Sequence, residues 1–227
     1  MQLTEDINKN VEKIVNYAKY GQKRGLSLLC FPECAVSGYL VDHSKINAQS
    51  IRNAISKLQH ISDQSGISLV VGTAWPSNNN IYNSAVIIRP HSPRKIYHKN
   101  NLTEYDKRYF SKGNSKLLFK VRGIRCGILI CRDQNNPNLA KRYKDIKILF
   151  YLSSHYYSKD EAIKKERKNK AFPIVRALEN KAYVAKADAV GEQNGNISIG
   201  CSIVVNPQGY VIAEAEKYSE EILEFNL

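Results

Sequence analysis

Ile7, Val11, Ile14, Val15 and Ala18 recur at helical spacing and Gly21 and Gly25 close the segment, so residues 5–24 read as an amphipathic helix. "LSLLCF" (26–31), an apolar run bounded by Gly25 and Pro32, reads as a buried strand. Ile51, Ala54, Ile55, Leu58 and Ile61 mark a second helix ending near Gly66, and "ISLVVGT" (67–73) a second buried strand. "IYNSAVIIR" and "RKIYHK", separated by a proline-rich turn, predict an antiparallel hairpin. Residues 99–115 lack periodicity and read as loop or short helix. "KLLFKVRG" and "IRCGILIC" follow as strands, "NPNLAKRYKDI" as a helix opened by its proline, "ILFYLSS" as a strand and 160–181 as a helix. "AYVAKADAVG", "ISIGCSIVV" and "YVIAEAE" read as three strands, the last two joined by a turn at Pro207, Gln208 and Gly209. The pattern is that of an α/β chain with helices covering mixed sheets.

At 227 residues and 43% hydrophobic content, the chain reads as one domain, 1–227, with a sizeable core. No stretch approaches the roughly 18 continuous apolar residues of a membrane span, and "MQLTEDINKN" lacks the basic and then apolar start of a signal peptide. A cytoplasmic location is expected. Cys30, Cys34, Cys126, Cys131 and Cys201 form no CxxC pair and have no histidine at metal-ligand spacing, which fits free thiols and no structural zinc. The net charge of +13 raises nucleic-acid binding as a function class. The one dense basic run, "KKERKNK" (164–170), has helical spacing and no interleaved aromatics, so a solvated helix face explains it better.

Open α/β sheets place their chemistry just beyond the carboxyl ends of buried strands, and three such ends carry a reactive group here. Glu33 follows "LSLLCFP", Lys99 follows "RKIYH", and Cys131 ends "GILI". A thiol needs a base, which Glu33 can supply, and a tetrahedral intermediate needs donors, which Lys99 and the backbone N–H of Arg132 can supply. Taken singly, each has an ordinary reading as loop carboxylate, surface lysine and apolar filler.

"LLCFPECAVSGY", "YHKNNL" and "GILICRDQNNPNLAKR" resemble, in order, the Phe-Pro-Glu, Lys-x-x-Leu and nucleophile segments of the nitrilase superfamily of carbon-nitrogen hydrolases. "RALENKAYVAKADAVG" and "GCSIVVNPQGYVIAEA" resemble its Arg-Ala-x-Glu-Asn helix and late hairpin. The resemblance covers nearly the whole chain. It implies a four-layer αββα sandwich of mixed sheets, a Glu-Lys-Cys triad carried onto Glu33, Lys99 and Cys131, and no metal or organic cofactor. It also implies a small-molecule amide or nitrile substrate and a homo-oligomer; from hydropathy and charge distribution, no membrane partner is expected and a nucleic-acid partner is the lesser expectation.

The chain departs from the family pattern in places. The second glutamate of many members falls on Asp106, with Glu104 two residues earlier as the alternative. The proline-glutamate after the nucleophile is Pro137 and Asn138. Arg132 replaces a frequent aromatic, and Asp133 is expected to order the turn. The usual first strand before the opening glutamine, here Gln2, and a C-terminal tail are expected to be lacking. Tyr39, His43, His155 and Tyr156 are candidate pocket liners. The leading expectation is a cysteine-dependent hydrolase of a small linear amide. A catalytically impaired scaffold and a nucleic-acid binder through the basic surface are the other two.

Overall fold

The computed structural model describes residues 1–39 and 42–227. The first helix, α1 (Ile7–Lys23), starts where the Asp6 carboxylate accepts hydrogen bonds from the N–H groups of Asn8 and Lys9, and buries the predicted Val11, Ile14, Val15 and Ala18. β1 (Leu28–Cys30) follows. α2 (Ala48–Ser65) is capped by Asn47 and ends at Gly66, whose φ of 72° is the left-handed turn that glycine adopts at least cost. β2 (Ser68–Ser77), β3 (Asn80–Arg89) and β4 (Ser92–His98) form a meander. With β1 parallel to β2 at one edge, they make a four-stranded sheet in the order β1-β2-β3-β4.

The second half adds β5 (Leu118–Val121), β6 (Ile124–Ile130), a single helical turn α3 (Pro137–Ala140), β7 (Ile148–Ser153) and α4 (Lys159–Asn180). β8 (Tyr183–Asp188), β9 (Val190–Gln193), β10 (Asn196–Ile199), β11 (Ile203–Val205) and β12 (Val211–Glu214) complete it. The six-stranded sheet runs β12-β11-β8-β7-β6-β5, with β6, β7 and β8 parallel at its centre, and β9 and β10 form a separate hairpin.

Three apolar cores define four layers. Ile14, Ile51, Ile55 and Leu58 of α1 and α2 pack on Leu69, Val71, Val86 and Ile88 of the first sheet. Val70, Ala85 and Ile87, on the opposite face of that sheet, meet Ile128, Ile130, Phe150 and Leu152 of the second. Leu129, Leu149, Tyr151 and Val184 then turn outward to Ala140 and Ala177 of α3 and α4. The alternation of even and odd positions along β2 and β7 thus assigns successive side chains to different cores, the period-2 rule at work on strands buried on both faces. This is the expected αββα sandwich.

Two expectations need correction. The helix read from "NPNLAKRYKDI" is only Pro137–Ala140, because its apolar positions serve the turn around Tyr143, whose hydroxyl donates to the Ile128 carbonyl at 2.6 Å. "AYVAKADAVG" and "ISIGCSIVV" each divide into two strands, at Ala189 and at Gly200–Ser202, as the chain leaves the main sheet to build the β9–β10 hairpin. Beyond β12 the chain returns across α1, where Glu220 pairs with Lys13 at 2.9 Å and Glu224 with Arg24 at 3.0 Å. A cavity of about 130 Å³ lies between β1, β8 and this returning segment, walled by Leu29, Phe31, Ala185, Val204 and Phe225.

Candidate active site

Glu33 leaves β1 through Pro32 and lies directly on β2. A Cβ on Gly72 would come within 2.4 Å of the Pro32 carbonyl and 2.6 Å of the Glu33 Cα, so only glycine lets this loop settle on the sheet. The Glu33 carboxylate is fully buried and held at both oxygens. Oε1 accepts from Lys99 Nζ and from Asn83 Nδ2, each at 2.7 Å, and Oε2 accepts from the Ser154 N–H at 3.1 Å. Ser154 Oγ donates to the Glu33 carbonyl at 2.6 Å, so the residue that follows β7 fixes the backbone as well.

Lys99 follows β4 and is likewise buried, its ammonium set between Glu33 at 2.7 Å and Asp106 Oδ2 at 2.8 Å. Burial alone would lower its pKa, but Glu33, Cys131 and Asp106 together hold it well above the usual lysine range. Asp106 accepts from the Thr103 N–H at 2.8 Å and its own N–H donates to Thr103 Oγ1 at 3.0 Å, which fixes the carboxylate before the turn. Burial opposes its charge, yet Lys99 keeps its carboxyl below the ordinary range. Glu104 does not enter the site: it is exposed and pairs with Lys107 at 2.7 Å.

Cys131 begins a short 3-10 turn, Cys131–Asn135, at the end of β6. Its φ of 44° places a non-glycine residue in the left-handed region, a conformation that persists only where neighbours enforce it. Tyr151 Oη donates to the Cys131 carbonyl at 2.7 Å. Asp133, fully buried, accepts from the Ile130 N–H at 3.1 Å, Tyr97 Oη at 2.8 Å, and the N–H groups of Asn100 and Asn101 at 3.0 and 2.6 Å. One carboxylate thereby ties the Cys131 turn to the segment that carries Lys99. Burial still pushes its pKa up to about 6 against these donors. The Cys131 thiol is pushed well up by burial and by Glu33, with Lys99 opposing. The Arg132 side chain is exposed, and its carbonyl accepts from Asn101 Nδ2 at 2.8 Å.

Tyr39 stacks with Tyr156 at 5.8 Å and with Tyr105 at 5.6 Å. His43 packs edge-on to Tyr39 and 4.6 Å from Phe110, fully buried, and neither ring nitrogen has a hydrogen-bond partner among the described residues. Burial lowers its pKa to about 4. His155, two residues past β7, pairs with Asp188, Nδ1 to Oδ2 at 2.8 Å, and not with Glu33, Lys99 or Cys131. Sequence reasoning missed Asn83, Ser154, Tyr151, Asp188 and Gly72. The available signal was a polar or minimal residue inside an otherwise apolar strand pattern. Among the described residues no group of three or more His, Cys, Asp or Glu side chains is arranged to hold a metal ion.

The carbon-nitrogen hydrolase family model matches residues 1–227. The chain is 28% identical over 222 residues to a nitrilase from Pyrococcus abyssi, covering 95% of this chain and 82% of that protein. It is 26% identical over 214 residues to a 2-oxoglutaramate amidase from Bacillus subtilis, covering 91% and 80%. A glutamine-dependent NAD(+) synthetase from Acinetobacter baylyi is 25% identical over 222 residues, and there the match takes 96% of this chain but only 41% of the synthetase. Among solved structures, an amidase from Nesterenkonia sp. AN1 superposes with a TM-score of 0.84 at 22% identity, over 96% of this chain and 87% of that one. The glutamine-dependent NAD+ synthetase from Acinetobacter baumannii gives 0.84 at 24%, over 97% and 42%.

Proposed function

This chain belongs to the carbon-nitrogen hydrolase family, and on that premise we propose that it cleaves a small linear amide through a thioester on Cys131. The observation that carries the reading is the buried Lys99 ammonium clasped between Glu33 and Asp106 beside the strained Cys131 turn. Burying three charges is costly and contributes little to stability by itself, so a cluster of this kind at a strand end points to chemistry.

In the proposed cycle Glu33 takes the thiol proton as the Cys131 sulfur attacks the amide carbon. The negative charge that develops on the carbonyl oxygen is stabilised by Lys99 and the Arg132 N–H, which lies in the first turn and has no intrahelical acceptor. Glu33 returns the proton to the leaving nitrogen, ammonia departs, and the C–S bond remains. Water then gives a proton to Glu33 and its oxygen to the acyl carbon, releasing the carboxylic acid and the thiol. Asp106 keeps Lys99 charged and aimed at the site.

Primary amides are favoured over nitriles and N-carbamoyl compounds because two relatives point that way, the 2-oxoglutaramate amidase and the Nesterenkonia amidase, whose active-site cysteine has added acrylamide. A role in feeding glutamine-derived ammonia to a synthetase would require a unit beyond these 227 residues, since the chain spans about two fifths of the synthetases it matches. The exposed Leu178 of α4 and the exposed Tyr210, Val211 and Ile212 at the start of β12 support a homo-oligomer.

The test is ammonia release from a panel of small ω-amides, nitriles and N-carbamoyl amino acids, with Cys131→Ala alongside. Release from amides that disappears in the variant is expected. Release that persists at the same rate without Cys131, or a folded wild type inert to the panel and to thiol labelling, would refute the reading.

A further inference from the structure

Cys131 breaks the alternation of its strand. Along β6, Leu129 turns outward to the helices and Ile130 inward between the sheets, so a continued strand would send residue 131 outward again. Cys131 instead packs with Ile130 against the inner core. Its φ of 44° accounts for the reversal, and a non-glycine residue keeps that conformation only under restraint.

Two side chains restrain it, one on each side. Asp133 accepts from the Ile130 N–H at 3.1 Å, which fixes the chain as it enters Cys131 and with it the direction of the thiol. Tyr151 fixes the chain as it leaves: its hydroxyl donates to the Cys131 carbonyl at 2.7 Å. Tyr151 stands level with Leu129 in the parallel β6–β7 pair, and its buried ring lies in the outer core.

The ring is braced by a charge cluster that no step of the proposed reaction uses. Lys186 Nζ sits 5.6 Å from its centroid and 3.2 Å from Asp188 Oδ2. The same ammonium donates to the Asn169 carbonyl at 3.2 Å, a carbonyl of α4 without a helical donor because Pro173, four residues on, has no N–H. Burial first, and after it Cys131, Asp188 and Glu33, hold the phenol well above the usual tyrosine range, so the hydroxyl keeps its proton.

The carbonyl that Tyr151 holds belongs to the same peptide unit as the Arg132 N–H. The unit is planar and trans, so the two groups point in opposite directions. With the carbonyl turned to Tyr151 in the outer core, the N–H faces the layer between the sheets, where Glu33 and Lys99 follow β1 and β4. Among the described residues this N–H has no hydrogen-bond acceptor. We propose that Tyr151 is a positioning residue which, through the Cys131 carbonyl, aims the Arg132 N–H at the substrate oxyanion, an inference that rests on the amide-hydrolase reading above. The bond to the carbonyl also polarises the N–H at the other end of the unit and strengthens it as a donor.

Tyr151→Phe removes the hydroxyl and keeps the ring. Two rates are compared in the folded variant, checked by circular dichroism: turnover of whichever amide in the panel the wild type cleaves best, and alkylation of Cys131 by iodoacetamide. Alkylation displaces iodide and develops no oxyanion. The variant is expected to lose about 10- to 100-fold in kcat with KM within about threefold, because the interaction matters in the transition state. Its alkylation rate should stay within about twofold of wild type, since Asp133 still directs the thiol. An unchanged kcat would overturn the proposal. So would a loss of kcat matched by an equal loss of alkylation, which would show that the hydroxyl holds the thiol, or a variant that does not fold, which would make the bond structural. A wild type inert toward the whole panel takes the hydrolase reading down with the proposal, whereas an active wild type and an equally active Tyr151→Phe leave that reading standing.

Discussion

Glu104 and Asp106 stand two residues apart and meet opposite fates. Both are acidic and both follow Lys99 in a polar stretch without periodicity, so pattern alone gives no reason to prefer one. The turn that follows Thr103 swings Asp106 inward to Lys99 and leaves Glu104 in solvent. The consequence is measurable in kinetics. Asp106→Asn removes a charge that holds the Lys99 ammonium, and kcat is expected to fall by about 100-fold, the scale of losing an electrostatic contributor to an oxyanion site. Glu104→Gln removes only an exposed pair and should leave kcat within about twofold. Equal losses in the two variants would show that Asp106 has no special hold on Lys99. Glu33, Lys99 and Cys131 were legible in the sequence because each stands where an apolar run stops. Asn83 in β3 and Ser154 just past β7, which hold the Glu33 carboxylate, were not, since a polar residue in or at the end of a strand reveals a partner only once a second segment is beside it.

At the scale of elements, the site depends on how closely two segments approach. Gly72 sits in the middle of β2, where a sequence reading finds only a weak strand former. In the fold it is the floor on which the Pro32–Cys34 backbone rests. Gly72→Ala is expected to push Glu33 out of line, with activity lost by about 100-fold or more and stability lowered by about 1–3 kcal/mol through overpacking. Steady-state rates and urea unfolding check both; an alanine variant with normal kcat would show that the loop tolerates displacement. The element boundaries tell the same story. Helices α1 and α2 matched their periodic stretches because their amphipathic faces are written locally. The division of the two late strands was hidden, because an apolar run does not say whether its two ends pair with the same neighbour.

For the whole molecule, buried ionisable groups set how stability responds to acid. His43 has its pKa lowered from 6.5 to about 4, so the unfolded chain takes a proton first and folding weakens as pH falls through that interval, by on the order of 3 kcal/mol. Asp133 is raised from 3.8 to about 6, so its folded form holds the proton more readily and stability grows as pH falls from 6 to 3.8. The two nearly cancel, and Asp106 and Asp188, both lowered, add their loss at still lower pH. The stability curve from urea unfolding is therefore expected to be nearly flat from pH 6.5 to 4 and to fall below it. His43→Phe should remove one side of the balance and gain on the wild type by on the order of 3 kcal/mol across that window. Parallel curves for the two proteins would mean that His43 is not buried neutral. These pairings join residues far apart in the chain, and the same division runs through the protein. The sequence by itself determined the α/β alternation, the amphipathic helix faces and the three strand ends that carry reactive groups, because each depends on spacing within one element. Only the tertiary structure decided which acid reaches Lys99, that Asp133 ties the Cys131 turn to the Lys99 segment, and that Lys186, Asp188 and His155 form one buried cluster, because the desolvation and hydrogen bonding that give those groups their properties arise only when distant strands meet.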